Sequence, residues 1–374
     1  MRKVAVFFGG KSCENEISVL TGIFALHLLD REKYTPVPVY IHTDGSMYSS
    51  PKMRDIKIFR EGKFASFERV FFEGGTLYSI SENKKNIKAK SRIDVALNCC
   101  HGGLGEGGGV SAMMEWNEIP LASPDLTASG VFMDKSLTKL VMRALNVPVV
   151  DYIRVNESDY EKRGPFLLKS IAGRLKYPVI VKPAHLGSSI GISVAENEEE
   201  AKRAIESGFE LDDRVIIEKY LPEKKDVNCA AYAMNGEIYV SEPETAFENG
   251  VYSFEEKYVK RKEDGLLQNG AKGGGRVALS GDLREKIRSY TKTVYKRMNL
   301  CGVVRMDFLV SGEKAYLCEV NTVPGSLAYY LFCERVSDGR TFFGDLLEEA
   351  LRTKKSEKKL VTTGILQTAR QRTK

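Results

Sequence analysis

The sequence predicts an α/β protein that opens with a parallel sheet and continues into α+β domains. Three observations carry this. Short apolar runs alternate with helical stripes through the first 120 or so residues, and the strands there end at glycine-rich turns. Past Pro124 the alternation gives way to short strands bounded by turn residues. At 374 residues the chain can bury a large core and divide into two or three domains.

The elements follow in order. Residues 4–8 (VAVFF) read as a buried strand, Gly9 and Gly10 as its turn, and Ile17, Leu20, Phe24 and Leu28 as the apolar stripe of a helix. Strands over 37–41 and 94–98 repeat the pattern, the second ending at HGGLGEGGG before a helix over 110–116. Together they predict an open parallel sheet whose loops form a crevice at the carboxyl ends of the strands. Residues 43–92 are polar and mixed, with a hairpin near Gly74 and Gly75, and read as an insertion. Beyond Pro124 come a helix over 134–145 stopped by Pro148, strands over 177–182 and 192–195 joined by the loop 187–191, a helix over 198–206 and a strand over 215–218. The last third pairs a glycine-rich flexible stretch, 269–275, with a helix over 283–298 and strands over 302–310 and 314–320. No internal repeat is visible. The domain boundaries expected are 1–123, 124–221 and 222–352, with a basic tail over 353–374.

Several function classes drop out. No apolar run reaches the roughly 18 residues of a membrane helix, and residues 4–8 are too short for a secretory h-region, so a soluble, cytoplasmic protein is expected. Seven cysteines without a CxxC pair predict neither a disulfide framework nor a zinc site, but reduced, mostly core thiols. The formal charge of +6 comes from the tail, where seven Lys or Arg face one acid. No aromatic residues interleave those charges, so the tail reads as a frayed basic helix or an expression remnant, and no nucleic-acid partner is expected.

The chemistry is concentrated in four stretches. In VIVKPAHLGSSIGI, Lys182 ends a strand and Gly187, Ser188, Ser189 and Gly191 form a hydroxyl-rich loop. Glycines let backbone N–H groups close on phosphate oxygens, hydroxyls add donors and the lysine adds charge. A phosphate cradle and an ordinary glycine hairpin with a solvated lysine fit these residues equally well. A P-loop does not, because GxxxxGK[ST] needs the lysine after the glycines and a helix behind it. Lys135, near a helix start, is by itself a surface lysine unless that company matters. In VIIEKYL, Glu218 can accept from an adenine amino group while backbone groups of Lys219 and Leu221 mimic a base pair, with Asp226 near ribose hydroxyls; an edge strand of alternating charge fits as well.

The strongest constellation is MDFLVSGEKAYLCEVNTVPG. Glu319 and Asn321, two apart on a strand, share a face, and Asp307 on the preceding strand joins them, three hard oxygen ligands suited to magnesium. Arg305 shares the face of Asp307 and can stabilise a transferring phosphoryl group or a tetrahedral intermediate. At the first crevice, Glu14 can hold an ammonium or simply complement a helix N-terminus, and His101 faces the same crevice or is a satisfied turn residue. Lys257 and Tyr258 open a stretch that can close over phosphates.

In this order, FFGGKSCENEIS, HGGLGEGG, SGVFMDK, PVIVKPAHLGSSIG, IIEKYL, EKY, RMDFLV and EVNTVPG resemble the ATP-grasp superfamily and, within it, the D-alanine:D-alanine ligases of bacterial cell-wall synthesis. The likeness covers nearly the whole chain to about residue 330. It implies two α+β domains clasping ATP and an acyl phosphate made on a first D-alanine and attacked by the amine of a second. By motif, Glu14 would hold the first ammonium with His101 beside it. Lys135, Lys182, Gly187, Ser188, Ser189, Glu218, Lys219, Leu221, Asp226 and Lys257 would bind ATP, and Ser188 and Tyr258 would link Glu14 to the closing loop. Asp307, Glu319 and Asn321 would hold two magnesium ions, manganese being possible, while Arg305 and the Gly325 backbone would stabilise the tetrahedral intermediate. A homodimer is implied by analogy.

The departures concern substrate more than reaction. The family usually reads GEDG where this chain has GEGG, with Gly107 in place of the acid, and a serine where Tyr330 stands. Asp226 replaces a usual glutamate. The amine-donating partner therefore stays open: D-alanine first, a different amine or hydroxy acid as the alternative, and a non-catalytic nucleotide-binding protein as a third reading that the intact metal site disfavours.

Overall fold

The computed structural model describes residues 1–81, 86–247, 279–353 and 361. Among the described residues three sheets organise the chain. The first begins with β1 (Arg2–Gly9), α1 (Asn15–Leu28) and β2 (Tyr34–Ile41). It continues through β3 (Met47–Ser49), the short α2 (Lys57–Arg60), β4 (Glu68–Glu73), β5 (Thr76–Ile80), β6 (Ile87–Arg92) and β7 (Val95–Asn98). The seven strands lie in the order β6-β5-β4-β3-β2-β1-β7. Only β2, β1 and β7 are parallel, each pair leaving β1 at the centre. Buried on both faces, β1 is a continuous apolar run rather than an alternating one.

The expected parallel sheet is thus the core of a mixed one, and residues 43–92 are not an insertion outside it. After β2 the chain reverses in a tight turn, His42 N–H to Ser46 O at 2.8 Å. A turn that short can only make an antiparallel neighbour, so β3 to β6 add antiparallel strands along that edge. The hairpin expected at Gly74 and Gly75 is β4 with β5.

Next come α3 (Val110–Trp116), α4 (Leu126–Met133) and α5 (Lys135–Ala144). The single helix expected over 134–145 is α5 alone. Asp134 separates it from α4: its backbone is extended and its carboxylate caps α5 by accepting from the N–H groups of Ser136 and Leu137. The second sheet, in the order β10-β9-β11-β8, is antiparallel and comprises β8 (Tyr152–Asn156), β9 (Val179–Pro183), β10 (Ser193–Ala195) and β11 (Arg214–Lys219). α6 (Glu157–Arg174) and α7 (Glu198–Phe209) pack on it around Leu168, Ile171, Ala201 and Ile205. α6 has no counterpart in the sequence reading, because Pro165 lies inside it and Arg163 breaks its dihedrals.

The third sheet holds β12 (Lys225–Met234), β13 (Glu237–Val240), β14 (Glu244–Phe247), β15 (Val304–Ser311) and β16 (Lys314–Asn321), with α8 (Gly281–Arg297) against it. The last helix among the described residues, α9 (Gly339–Arg352), returns to the first sheet. One apolar cluster joins Val4, Val6, Phe8 and Leu26 to Tyr232, Phe342, Phe343 and Leu346. Tyr34 donates to Glu348 at 2.7 Å on the same seam. The first and third sheets are therefore held in a shared core, which fixes their loops face to face. Of the seven cysteines, all unpaired, only Cys99, Cys100 and Cys229 are buried, fewer than expected.

Candidate active site

Two antiparallel strands of the second sheet carry the first cluster. β11 lies between β9 and β8, so VIIEKYL is a central strand and not an edge. Lys182 on β9 donates to Glu218 on β11 at 3.0 Å, and Lys139 on α5 approaches the other carboxylate oxygen at 3.2 Å. The side chains of Lys139 and Glu218 are 0% and 1% exposed. Burial alone would raise the Glu218 carboxyl, but the two lysines outweigh it and hold it at about 2. The same pairing keeps Lys182 charged against the opposing effect of burial, with Cys318, Glu218 and Glu319 all nearby. An adenine amino group would thus have to share a Glu218 oxygen already bound to lysine. Lys139 escaped the sequence reading. Its signal was there: it lies four residues after Lys135, on the same helix face.

Lys135 is the first residue of α5, where the Asp134 cap aims it across the site. Its N–H bonds Ala184 O at 3.0 Å, its Nζ donates to the Leu186 carbonyl, and the same Nζ lies 3.9 Å from Glu319. His185 anchors the approach to the loop, bonded to Asp212 at 2.8 Å and lying 3.5 Å from Asp134. Those two carboxylates raise it to about 9, so it is an imidazolium at neutral pH. In the loop itself Ser188 and Ser189 take left-handed dihedrals, φ 52° and 61°. Ser188 donates to the Glu14 carboxylate. A Cβ on Gly187 would lie 3.0 Å from Glu14 Oε2, and one on Gly102 only 2.6 Å away. Glycine at both places is what lets the carboxylate sit between the first crevice and the phosphate-type loop.

The third sheet supplies the acidic face. β15 and β16 pair Asp307 with Glu319 and Arg305 with Asn321, so all four side chains project from one side. Arg305 grips Asp307 bidentately at 2.8 and 2.9 Å, and Asn321 donates to Asp307 at 3.0 Å. Two carboxylates and an amide are hard oxygen donors, the set that magnesium prefers. Beyond β16, Gly325 opens a turn in which a Cβ would meet nothing within 4 Å, and Tyr330 brings its hydroxyl 3.5 Å from Arg305.

Across from this face, His101 is buried and both ring nitrogens are occupied, by Thr21 and by the Val323 carbonyl, each at 2.7 Å. Burial lowers it to about 4, so the ring is neutral. Partly buried Glu106 accepts from Gly102 N–H at 2.8 Å and Val323 N–H at 3.0 Å, and burial raises it to about 7. Neither Glu106 nor Thr21 was singled out from sequence, since their partners lie far along the chain. Gly107 packs towards Met133. Lys219 is exposed at the end of β11, Leu221 is half-buried, and Asp226 pairs with Lys224 at 2.5 Å. Lys257, Tyr258 and the glycine-rich stretch 269–275 lie outside the described residues.

Known proteins are similar to this chain along most of its length. Residues 3–124 match the family described as D-ala D-ala ligase N-terminus, and residues 141–352 match D-ala D-ala ligase C-terminus. A D-alanine–D-alanine ligase of Thermosipho africanus is 32% identical over 340 residues, 89% of this chain and 88% of the relative. One of Clostridium novyi is 29% identical, covering 94% of this chain and 97% of its own. The crystal structure of D-alanine–D-alanine ligase from Helicobacter pylori superposes with a TM-score of 0.74 at 26% identity, over 93% of this chain and 98% of that one. Among the described residues no helix is long and apolar enough to cross a membrane. The chain belongs to the D-alanine–D-alanine ligase family of ATP-dependent ligases.

Proposed function

We propose that the protein condenses D-alanine with an amine-bearing partner, D-alanine foremost, through an acyl phosphate, as a step in making peptidoglycan precursors in the cytoplasm. One observation carries the reading: Ser188 of the phosphate-type loop is bonded to Glu14 of the first crevice, while Lys135 of α5 bridges from the Leu186 carbonyl beside that loop towards Glu319. A group that binds an ammonium and groups that bind phosphate thus lie side by side, as activation of an amino acid's own carboxylate requires.

In this mechanism Glu14 takes the ammonium of the first amino acid. Lys135, Lys182 and the backbone of Gly187, Ser188 and Ser189 take the ATP phosphates. The adenine lies by Glu218, Lys219 and Leu221, and the ribose by Asp226. Asp307, Glu319 and Asn321 would hold two magnesium ions, or manganese, which when bound neutralise phosphate charge. A carboxylate oxygen attacks the γ-phosphorus and ADP leaves. The amine then attacks the acyl carbon, Arg305 and the Gly325 N–H meet the oxyanion, and inorganic phosphate departs. By motif, Lys257 and Tyr258, which lie outside the described residues, belong to the stretch expected to close over the phosphates. The domains are 1–123, 124–221 and 222–352, and the working unit is a homodimer.

The amine partner turns on Tyr330, whose hydroxyl faces Arg305. A ligase named D-Ala:D-Ser from Enterococcus faecalis shares the fold at TM-score 0.71 and 22% identity. The fold alone therefore does not choose the second substrate. Phosphate release from ATP and magnesium over a panel of D- and L-amino acids and D-lactate tests the reading. Turnover with D-alanine alone supports it; turnover only with an unlike pair keeps the mechanism and rejects D-alanine as the amine.

A further inference from the structure

The turn that follows β16 is held from outside its own sheet. Val323 N–H donates to Glu106 at 3.0 Å, Val323 O accepts from His101 at 2.7 Å, and Ser326 N–H donates to the Thr21 hydroxyl at 3.3 Å. Thr21 and His101 are themselves joined at 2.7 Å. The polarity of this circuit is determined. A carbonyl only accepts, so His101 Nδ1 carries the proton; the neutral ring then offers Nε2 as acceptor, Thr21 O–H donates to it, and the threonine oxygen is left to accept from Ser326. Every member finds a partner of the right sense.

What is held matters. Ser326, Leu327 and Ala328 follow one another at φ 50°, 53° and 48°, a left-handed run with no glycine in it. Each such residue costs about 1–2 kcal/mol, so the run persists only where its surroundings impose it. Between the fixed points lies Gly325, and just before them Asn321. Thr21 sits on α1, the helix that begins immediately after Glu14.

We propose that Thr21, His101 and Glu106 are positioning residues: they clamp residues 323–326 so that the Gly325 N–H is fixed in distance from Glu14, and they touch no reacting atom. The clamp rests on the ligase reading above for its purpose. It accounts for a histidine in the crevice whose two nitrogens are both spent on protein groups.

The test compares Thr21→Val, which keeps shape and removes the hydroxyl, with Thr21→Ser, which restores it, and with His101→Gln. Thr21→Val should lower kcat about tenfold with KM for ATP and for D-alanine within twofold of wild type. Thr21→Ser should recover most of the rate. The Thr21→Val/His101→Gln double variant should be no slower than His101→Gln alone, since both open one circuit. Amide exchange at Val323 and Ser326, read on the full chain without substrate, should quicken in Thr21→Val and in His101→Gln. A silent Thr21→Val beside a His101→Gln that raises KM for D-alanine would overturn the proposal and make the imidazole a substrate ligand. Unchanged exchange would overturn it even in an active enzyme. Wild-type protein that releases no phosphate with any amine rejects instead the ligase reading.

Discussion

Two buried or half-buried glutamates, Glu218 and Glu106, mark the two halves of the site and behave oppositely. Glu218 sits between Lys139 and Lys182 and is held at about 2, a permanent anion that keeps two cations in a dry place. Glu106 meets two backbone N–H groups and the Thr322 hydroxyl but no cation, with Glu14 and Glu319 as its charged neighbours, and burial raises it to about 7. The half around Glu218, proposed for the nucleotide, is thus built from strong, charge-matched pairs within neighbouring elements. The half around Glu106, proposed for the amino acids, is built from hydrogen bonds without a cation, two of them between segments more than 200 residues apart. Charge pairs organise the half proposed for ATP; hydrogen bonds to the backbone set the geometry of the half proposed for the amino acids.

The largest expected effect tests the acidic face on which both halves converge. Glu319→Ala should cost several kcal/mol of transition-state stabilisation, roughly a thousandfold or more in turnover, with the thermal midpoint retained. A rate close to wild type in a steady-state phosphate assay would remove the metal assignment. Next, Lys139→Met leaves Glu218 with one cation in a dry place and should destabilise the protein by about 3 kcal/mol in urea unfolding. Adding Glu218→Gln should return part of that loss. If Lys139→Met is neutral, the pair is not the organising element of this half.

The two glutamates also predict opposite pH behaviour. Glu218 is depressed from an ordinary value near 4.5, so its contribution to stability is present above that value and is lost as pH falls towards 2. Glu106 is raised from 4.5 to about 7, so the folded state binds the extra proton and stability declines as pH climbs through that window. His101, depressed from 6.5 to about 4, acts in the opposite direction over much of this range, so the Glu106 contribution is read as a difference: urea midpoints of Glu106→Gln should gain on wild type as pH climbs from 4.5 to 7.5. An identical slope in the variant would place the titration elsewhere. The smallest effect is at Tyr330. Tyr330→Ser should shift relative kcat/KM among amine partners towards D-alanine by about tenfold, because a changed pocket is worth only 1–3 kcal/mol in selectivity. No change would move second-substrate choice away from this residue.

How much of this was readable from sequence follows the same division. The pairing of Arg305, Asp307, Glu319 and Asn321 on one face was legible, because a strand alternates its side chains and a tight turn leaves little choice of register. The loop after Lys182 was legible for the same reason. α6 was not, since a proline within a helix is tolerated only when tertiary packing offsets it. Nor was the fate of residues 43–92, whose weak pattern became strands only against the edge of β2. The shared core closed by α9 was also unseen, although it brings the crevice and the acidic face together.

The sequence by itself determined the chemistry: which residue types exist, in which local spacing, and hence an ATP-dependent ligase with an oxygen-rich face. Only the tertiary structure decided that Lys139 completes the lysine pair, that His101 spends both nitrogens on protein, and that Glu106 reaches Val323. The physical reason is range. Helix and strand periodicities act over a few residues and are written in the chain, whereas a hydrogen bond across 217 or 222 residues exists only once the cores have packed.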